Sequence, residues 1–171
     1  MKIPAEALVG TTTDQLKPGD FALTEYGYWV HATTHPQDGS TLLSHLAQTS
    51  EGTTDRIGNA YKPGKHQALR VAAPYSLIAR IELSETSRDF PQPSSLILCD
   101  VPRIYSIRTE NYEELWIWSS MSGESISEYP RLNSSNPAAL KKWSMHLKHP
   151  DGQVDSEPLF IVEKIKATEI A

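Results

Sequence analysis

The side chains best equipped for chemistry in this sequence are six histidines and one cysteine. His31 and His35 are four residues apart, a spacing that lets two imidazoles share a metal ion when both lie on one helix. Val30 and Thr33 favour extended structure, however, and Pro36 interrupts it. Along a strand, four residues span roughly 13 Å, which is too far for two side chains to reach one ion. The sequence therefore predicts no metal and no cofactor at this pair.

A hydrolase would need Cys99 or a serine as nucleophile, a base such as His31, and a carboxylate to orient that base. The Pro-Gly-Asp turn followed by a strand that ends in His31 resembles the opening of the circularly permuted papain-like hydrolases, in which a histidine precedes the cysteine. This resemblance covers only that short segment and implies a thiol-dependent hydrolase using Cys99 and His31. The family sets its cysteine at a helix start, where the dipole lowers the thiol pKa, whereas the residues before Cys99 read as a strand. The sequence favours a buried structural cysteine.

Other catalytic and nucleotide-binding motifs are absent. The chain has no Gly-x-Ser-x-Gly elbow, no Gly-x-Gly-x-x-Gly and no Gly-Lys followed by Ser or Thr. Acidic pairs such as Glu113 and Glu114 have no spacing that selects acid-base chemistry, and carboxylates on turns usually face water. The pattern favours a protein without catalytic activity.

Aromatic residues at alternating positions supply the candidate partner-binding side chains. Tyr26 and Tyr28 fall on one face of a predicted strand, and Trp116 and Trp118 fall on one face of another. Such rings commonly build a β core and bond their polar atoms at its edge. They are also enriched at the hot spots of protein interfaces. Both interpretations stay open, and the second predicts that these four residues bind a partner.

These observations lead to one functional hypothesis and its alternatives. We expect a non-catalytic, β-rich interaction or accessory module that binds another protein or associates with itself, in the manner of immunity proteins or of accessory proteins of phages and mobile elements. The first alternative is the papain-like thiol hydrolase with Cys99 and His31. The second is binding of a small ligand or a sugar on the same aromatic rings.

Composition narrows the location and the partners. At 171 residues the chain can bury one core, so we expect a single domain over residues 1–171. The formal charge is -5 and the pI is about 5.7, so no overall basic field attracts phosphates or anionic lipid, and we expect neither nucleic acid nor membrane as a partner. The sequence has no apolar run near the length of a membrane span and no signal-like amino terminus. With its single Cys99, these features predict a cytoplasmic protein.

The elements that must position these residues are mostly strands. Pro18 and Gly19 predict a turn at residues 18–20, and the aromatic and β-branched composition of residues 21–34 predicts one long strand. Gly27 within this strand suggests a β-bulge or the close approach of another group to the backbone. Three leucines at helical spacing predict a short helix over Thr41–Gln48. Residues 50–65 have no period and predict a flexible loop.

Towards the carboxyl end, Pro137 at a first helical position, with Ser135 or Asn136 as cap, predicts a short helix to about Lys142. A hairpin of residues 143–149 with residues 153–165 follows around a Pro-Asp-Gly turn. The other predicted strands cover residues 5–9, 66–72, 75–83, 96–99, 103–108 and the segment that contains Trp116 and Trp118. The sequence therefore predicts a mainly β or α+β fold, an antiparallel sandwich or barrel-like domain with one or two short helices.

Overall fold

The computed structural model describes residues 3–49, 56–81, 86–87, 91–130 and 138–163. Within these ranges strands predominate, and the helical segments are short 3-10 turns at Ala5–Ala7 and Thr13–Gln15. They contain no helix of seven or more residues, and none long and apolar enough to cross a membrane. The prediction of a mainly β, antiparallel, sandwich-like fold with short helical pieces is confirmed.

The strands of the described ranges form three antiparallel sheets. Sheet one has the order β1-β6-β2-β3-β4-β5, with strands β1 (Leu8–Thr12), β2 (Phe21–Thr24), β3 (Tyr28–Thr34), β4 (Thr41–Gln48), β5 (Ala60–Tyr61) and β6 (Gln67–Val71). Sheet two has the order β12-β11-β10-β9-β13-β8, with strands β8 (Thr86–Ser87), β9 (Leu96–Leu98), β10 (Arg103–Glu110), β11 (Glu113–Ser120), β12 (Ser125–Ile126) and β13 (Ala138–Leu140). Sheet three has the order β15-β14-β7, with strands β7 (Ser76–Ile81), β14 (Lys142–Lys148) and β15 (Phe160–Glu163).

The three sheets share one hydrophobic core. Sheet one contributes Trp29 and Leu46, sheet two contributes Ile104, and sheet three contributes Trp143 and Phe160. The rings of Trp29 and Phe160 stack with their centroids 4.8 Å apart. Burial of an aliphatic or aromatic side chain of this size stabilises a fold by roughly 1.5–3 kcal/mol. This core therefore holds the sheets against one another.

The predicted turn at residues 18–20 is confirmed, but the single long strand after it is wrong. Gly19 has φ +94°, and the amide of Asp20 donates to the carbonyl of Lys17 at 2.9 Å. Residues 21–34 form a hairpin of β2 and β3, because Gly27 adopts φ +78° and its amide donates to the carbonyl of Thr24 at 2.9 Å. Only glycine adopts such a φ without strain, so Gly27 allows the chain to reverse.

The predicted helix at Thr41–Gln48 is also wrong, because this segment is strand β4. Leu42 to Ala47 are all buried, since β4 lies between β3 and β5 and packs on both faces of sheet one. A strand that is buried on both faces carries apolar residues at consecutive positions. The period of two is then lost, and leucine spacing imitates a helix.

The predicted helix at residues 137–142 is wrong where it can be observed. Its start at Asn136 and Pro137 lies outside the described residues. Ala138–Leu140 is β13, which pairs with β9 and β8, and Lys142 already begins β14. The predicted hairpin partner is present, since β14 pairs with β15, although Ile165 lies outside the described residues.

The predicted flexible loop at residues 50–65 is described only from residue 56 onwards. That part contains β5, which pairs with β4, and Ile57, which is 2% exposed. Asn59 also forms a parallel bridge with Ile107 of sheet two. Residues 56–61 are therefore tied to both sheets, while residues 50–55 lie outside the described residues.

Candidate functional site

A cavity of about 420 Å³ opens on the face of sheet one that points away from Trp29. Successive side chains of a strand point to opposite faces, so Tyr28 lies on the face opposite to Trp29. We call this cavity the tyrosine cleft. Its aromatic walls are Tyr26, Tyr28, His45, Tyr61 and His66. Its remaining lining residues are Thr13, Thr24, Arg56 and Asn59.

The inner wall of the tyrosine cleft is a block of three rings. Tyr61 stacks on His45 with centroids 4.5 Å apart, and Tyr28 packs against the same imidazole at 4.6 Å. The pairing of β4 with β5 brings Tyr61 beside His45, because the His45 amide donates to the Asn59 carbonyl at 3.0 Å. The wall is therefore built by backbone pairing before any partner binds.

Burial controls the charge of this wall. Burial, and to a lesser extent the nearby Arg56 guanidinium, lowers the pKa of His45 from 6.5 to about 4. Burial also raises the pKa of Tyr61 to about 12, although Arg56 opposes that rise. Both groups are therefore neutral near pH 7. The buried Nδ1 of His45 has no hydrogen-bond partner in the described part of the chain.

The rim of the tyrosine cleft is formed by Tyr26 and His66. Tyr26 lies in the turn between β2 and β3 and is 60% exposed. Its hydroxyl lies 3.3 Å from Nδ1 of His66, and Oε1 of Glu25 lies at the same distance from that nitrogen. Nδ1 accepts from the hydroxyl in one tautomer of the ring and donates to the carboxylate in the other. The rim can therefore exchange one hydrogen bond for the other.

The charge lining the tyrosine cleft is positive. Arg56 is the lining residue with a permanent charge, and the described lining includes no carboxylate. Arg56 is exposed, and the salt bridges within the described residues do not include it. An anionic group that enters the cleft would meet an attractive charge.

The two predicted tryptophans differ in exposure. Trp116 and Trp118 alternate on β11 and share a face. Trp118 is wholly buried, because Tyr105 stacks on it at 4.1 Å and Tyr129 packs edge-on at 5.0 Å. Trp116 is 39% exposed. The surface of the folded protein therefore includes Trp116 but not Trp118.

Cys99 and His31 do not form the arrangement that a thiol hydrolase requires. The Cys99 thiol donates to the carbonyl of Val101 at 2.9 Å, and burial raises the pKa of this thiol. His31 is wholly buried, stacks on Phe21 at 4.4 Å, and its Nε2 lies 3.3 Å from the carbonyl of Met121. Because a carbonyl only accepts, Nε2 carries the proton. Burial also lowers the pKa of His31 to about 4. Neither group has the surroundings of an activated thiolate and its base.

The sequence alone points to Tyr26 and Tyr28 of the tyrosine cleft but not to its other residues. Tyr26 and Tyr28 were predicted as neighbours on one strand, but the hairpin turn, rather than alternation, brings them together. Arg56, Asn59 and Tyr61 lie within residues 50–65, for which the sequence predicts a flexible loop and no site. The sequence does not single out His45, because the leucine spacing around it predicts a helix. In a strand, its position beside Tyr61 follows from the pairing of β4 and β5.

Potential metal ligands do not cluster in the described ranges. They contain no group of three or more His, Cys, Asp or Glu side chains that could hold a metal ion. Comparison of the whole chain with protein-family models, with curated proteins and with solved structures finds no match.

Proposed function

We propose that this protein is a binding module whose tyrosine cleft, which is non-catalytic, receives a short segment of a partner protein. The observation that carries this proposal is the convergence of Tyr26, Tyr28 and Tyr61 on one open cavity of about 420 Å³. Cavities of this size hold small groups rather than folded domains. The occupant is therefore a few side chains of an exposed segment.

The packing of the inner wall supports this proposal. Tyr28 and Tyr61 are each fixed against His45, so they lose little conformational freedom when a partner binds. Tyr26 stands at the rim with most of its ring exposed. The inner wall of fixed aromatic rings, with an exposed tyrosine at the rim, has the composition that is typical of hot spots in protein interfaces.

Electrostatics supports an acidic segment as the partner. Arg56 offers a guanidinium, and guanidinium groups bind carboxylates through paired hydrogen bonds. His45 is neutral near pH 7 because its pKa is about 4, so it adds no charge that would need a counter-ion. The expected segment therefore combines a planar or apolar side chain with an aspartate or glutamate.

A peptide library displayed on phage tests the proposal. The library is selected on the wild-type protein, and enriched peptides are synthesised and titrated by calorimetry. Tyr26→Ala removes an exposed rim ring, so we expect it to weaken these peptides by at least about tenfold, the loss typical of a hot-spot residue. The matched control is Tyr112→Ala, because Tyr112 is fully exposed on the β10–β11 turn and should leave affinity unchanged.

Two outcomes would contradict the proposal. One is the absence of any enriched peptide, and the other is an equal loss of affinity in both variants.

Self-association is the second form of the hypothesis, since Trp116 and Tyr26 are both exposed. Sedimentation tests it, because a dimer that dissociates on Tyr26→Ala would assign the cleft to a second copy of the chain.

A further inference from the structure

A second cavity, of about 390 Å³, lies on the outer face of sheet three. Met145 and Leu147 of β14 are buried in the core. Alternation along the strand therefore places Ser144 and His146 together on the opposite face, and both line this cavity. A hydroxyl and an imidazole thus share one wall, far along the chain from the residues of the tyrosine cleft.

Two hydrogen bonds fix the tautomer of His146. Nδ1 of His146 lies 2.9 Å from the backbone carbonyl oxygen of Asp155, and Nε2 lies 2.9 Å from Oγ of Ser144. A carbonyl oxygen can only accept, so Nδ1 carries the proton of the neutral imidazole. Nε2 is then an acceptor, and the Ser144 hydroxyl donates to it. This is the state that a general base needs beside a serine nucleophile.

The carbonyl that orients His146 is itself held in place. The amide of Asp155 donates to the carbonyl of Leu147 at 3.0 Å, and Val154 bridges to Lys148. Oδ1 of Asp155 lies 2.9 Å from Nε2 of His149. The backbone at Asp155 is therefore anchored to the end of β14 that follows His146 and to His149 beyond it. The imidazole needs no reorganisation to receive a proton.

Two cations stand beside the serine. Arg80 of β7 is directly opposite Ser144 in the register, so the two Cβ atoms lie about 4.5–5.5 Å apart and on the same face. Lys142 lines the same cavity and forms a salt bridge with Glu163 at 3.3 Å. The described salt bridges do not include Arg80, which is an exposed residue. The cavity can therefore stabilise negative charge next to Ser144.

We propose that Ser144 and His146 form a nucleophile and general base that cleave carboxylic esters with an anionic acyl group. This activity goes beyond the binding role of the tyrosine cleft and uses a separate cavity. Arg80 binds the anionic end of the acyl group, and the carbonyl of Asp155 is a positioning group that acts through His146.

The reaction has two balanced steps. Oγ of Ser144 attacks the ester carbonyl carbon while Nε2 of His146 takes the hydroxyl proton. The bond to the alcohol oxygen then breaks, and the alcohol leaves with that proton, which gives an acyl-serine. In the second step, Nε2 takes a proton from water and the resulting hydroxide oxygen attacks the acyl carbon. The bond from that carbon to Oγ then breaks, Nε2 returns the proton to Oγ, and a carboxylic acid and free Ser144 are released. No oxidant, reductant or metal ion enters either step.

Acylation by mono(4-nitrophenyl) succinate tests the proposal, with 4-nitrophenyl acetate as the uncharged comparison. Mass spectrometry of the quenched full-length protein locates the acyl group, and nitrophenolate release gives its rate. We expect acylation at Ser144, and a fall of at least about 100-fold in Ser144→Ala and in His146→Gln, the contribution typical of a positioned general base. Arg80→Gln should slow the succinate ester more than the acetate ester.

Two further measurements separate catalysis from a purely structural hydrogen bond. The control variant is Ser76→Ala, which removes an exposed serine on the same sheet and should leave the rate unchanged. Because His146 is only 4% exposed and its variant could unfold, nitrogen-15 NMR of the wild-type protein reports the tautomer directly. We expect the proton on Nδ1. A proton on Nε2, no acylation, or acylation elsewhere at the same rate would overturn the proposal.

Discussion

The buried His31 makes stability depend on pH, and the structure gives the size of the effect. Burial lowers the pKa of His31 from 6.5 to about 4 in the folded protein, while the unfolded chain keeps the ordinary value. Below pH 6.5 the unfolded state therefore binds a proton that the folded state does not bind. One unit of pKa difference corresponds to about 1.4 kcal/mol. The stabilisation is complete above pH 6.5 and is lost as the pH falls towards 4. We therefore expect the titration of His31 to lower the free energy of unfolding by about 2 kcal/mol between pH 7 and pH 5. His45 lowers the free energy of unfolding over the same pH interval, because its pKa is also about 4.

Urea unfolding of the wild type and of His31→Gln at pH 7 and pH 5 tests this prediction, because it measures the free energy of unfolding of each protein at each pH. Glutamine keeps a donor for the carbonyl of Met121, which His31 contacts at 3.3 Å, but it does not titrate. We expect the variant to lose about 2 kcal/mol less than the wild type over this interval. The control is Phe21→Leu, which changes the ring stacked on His31 and should lower stability equally at both pH values. Equal losses in the wild type and His31→Gln would refute the reasoning.

Three further predictions concern the thiol, the core and two glycines. Because burial raises the pKa of Cys99, iodoacetamide should label the folded protein more slowly than the urea-unfolded chain at pH 8, and an equal or faster rate in the folded protein would contradict this. Leu46→Ala should lower the free energy of unfolding by about 2–5 kcal/mol in urea titrations, because Leu46 is fully buried in the core shared by the sheets. Gly123→Ala should cost about 1–3 kcal/mol more than Gly152→Ala, because both have positive φ but only at Gly123 would the new Cβ overlap the backbone of Gly19. The same titrations measure that difference, and equal costs would contradict it.

The strands that could be predicted are those with one face against the core. The segment around β7 is one example, since Leu77 and Ala79 pack against the core while Ser76 and Ile78 are exposed. In such a strand, apolar residues alternate with polar or exposed ones, so the sequence shows which face is buried. By contrast, β4 is buried on both faces, so its side chains carry no period that separates a strand from a helix.

The tyrosine cleft shows the same limit for a functional site. Tyr26 and Tyr28 are two residues apart, so the sequence is sufficient to group them. Tyr61 and His45 are joined by pairing between β4 and β5, and pairing between strands leaves no motif in either segment. Ser144 and His146 are also two residues apart, but their relation to the carbonyl of Asp155 depends on how the chain returns to β14 after the turn at Gly152.

The sequence by itself determined the class of fold, because β-branched and aromatic runs punctuated by turns form pleated sheets whatever their final order. It also determined the turn at Gly19, since proline and glycine act on the local backbone. Only the tertiary structure decided which rings are exposed. Trp116 and Trp118 have the same alternation, yet Trp118 is wholly buried with Tyr129 packed against it, and Trp116 is 39% exposed. Exposure depends on contacts with distant segments, and no local pattern of residues encodes those contacts.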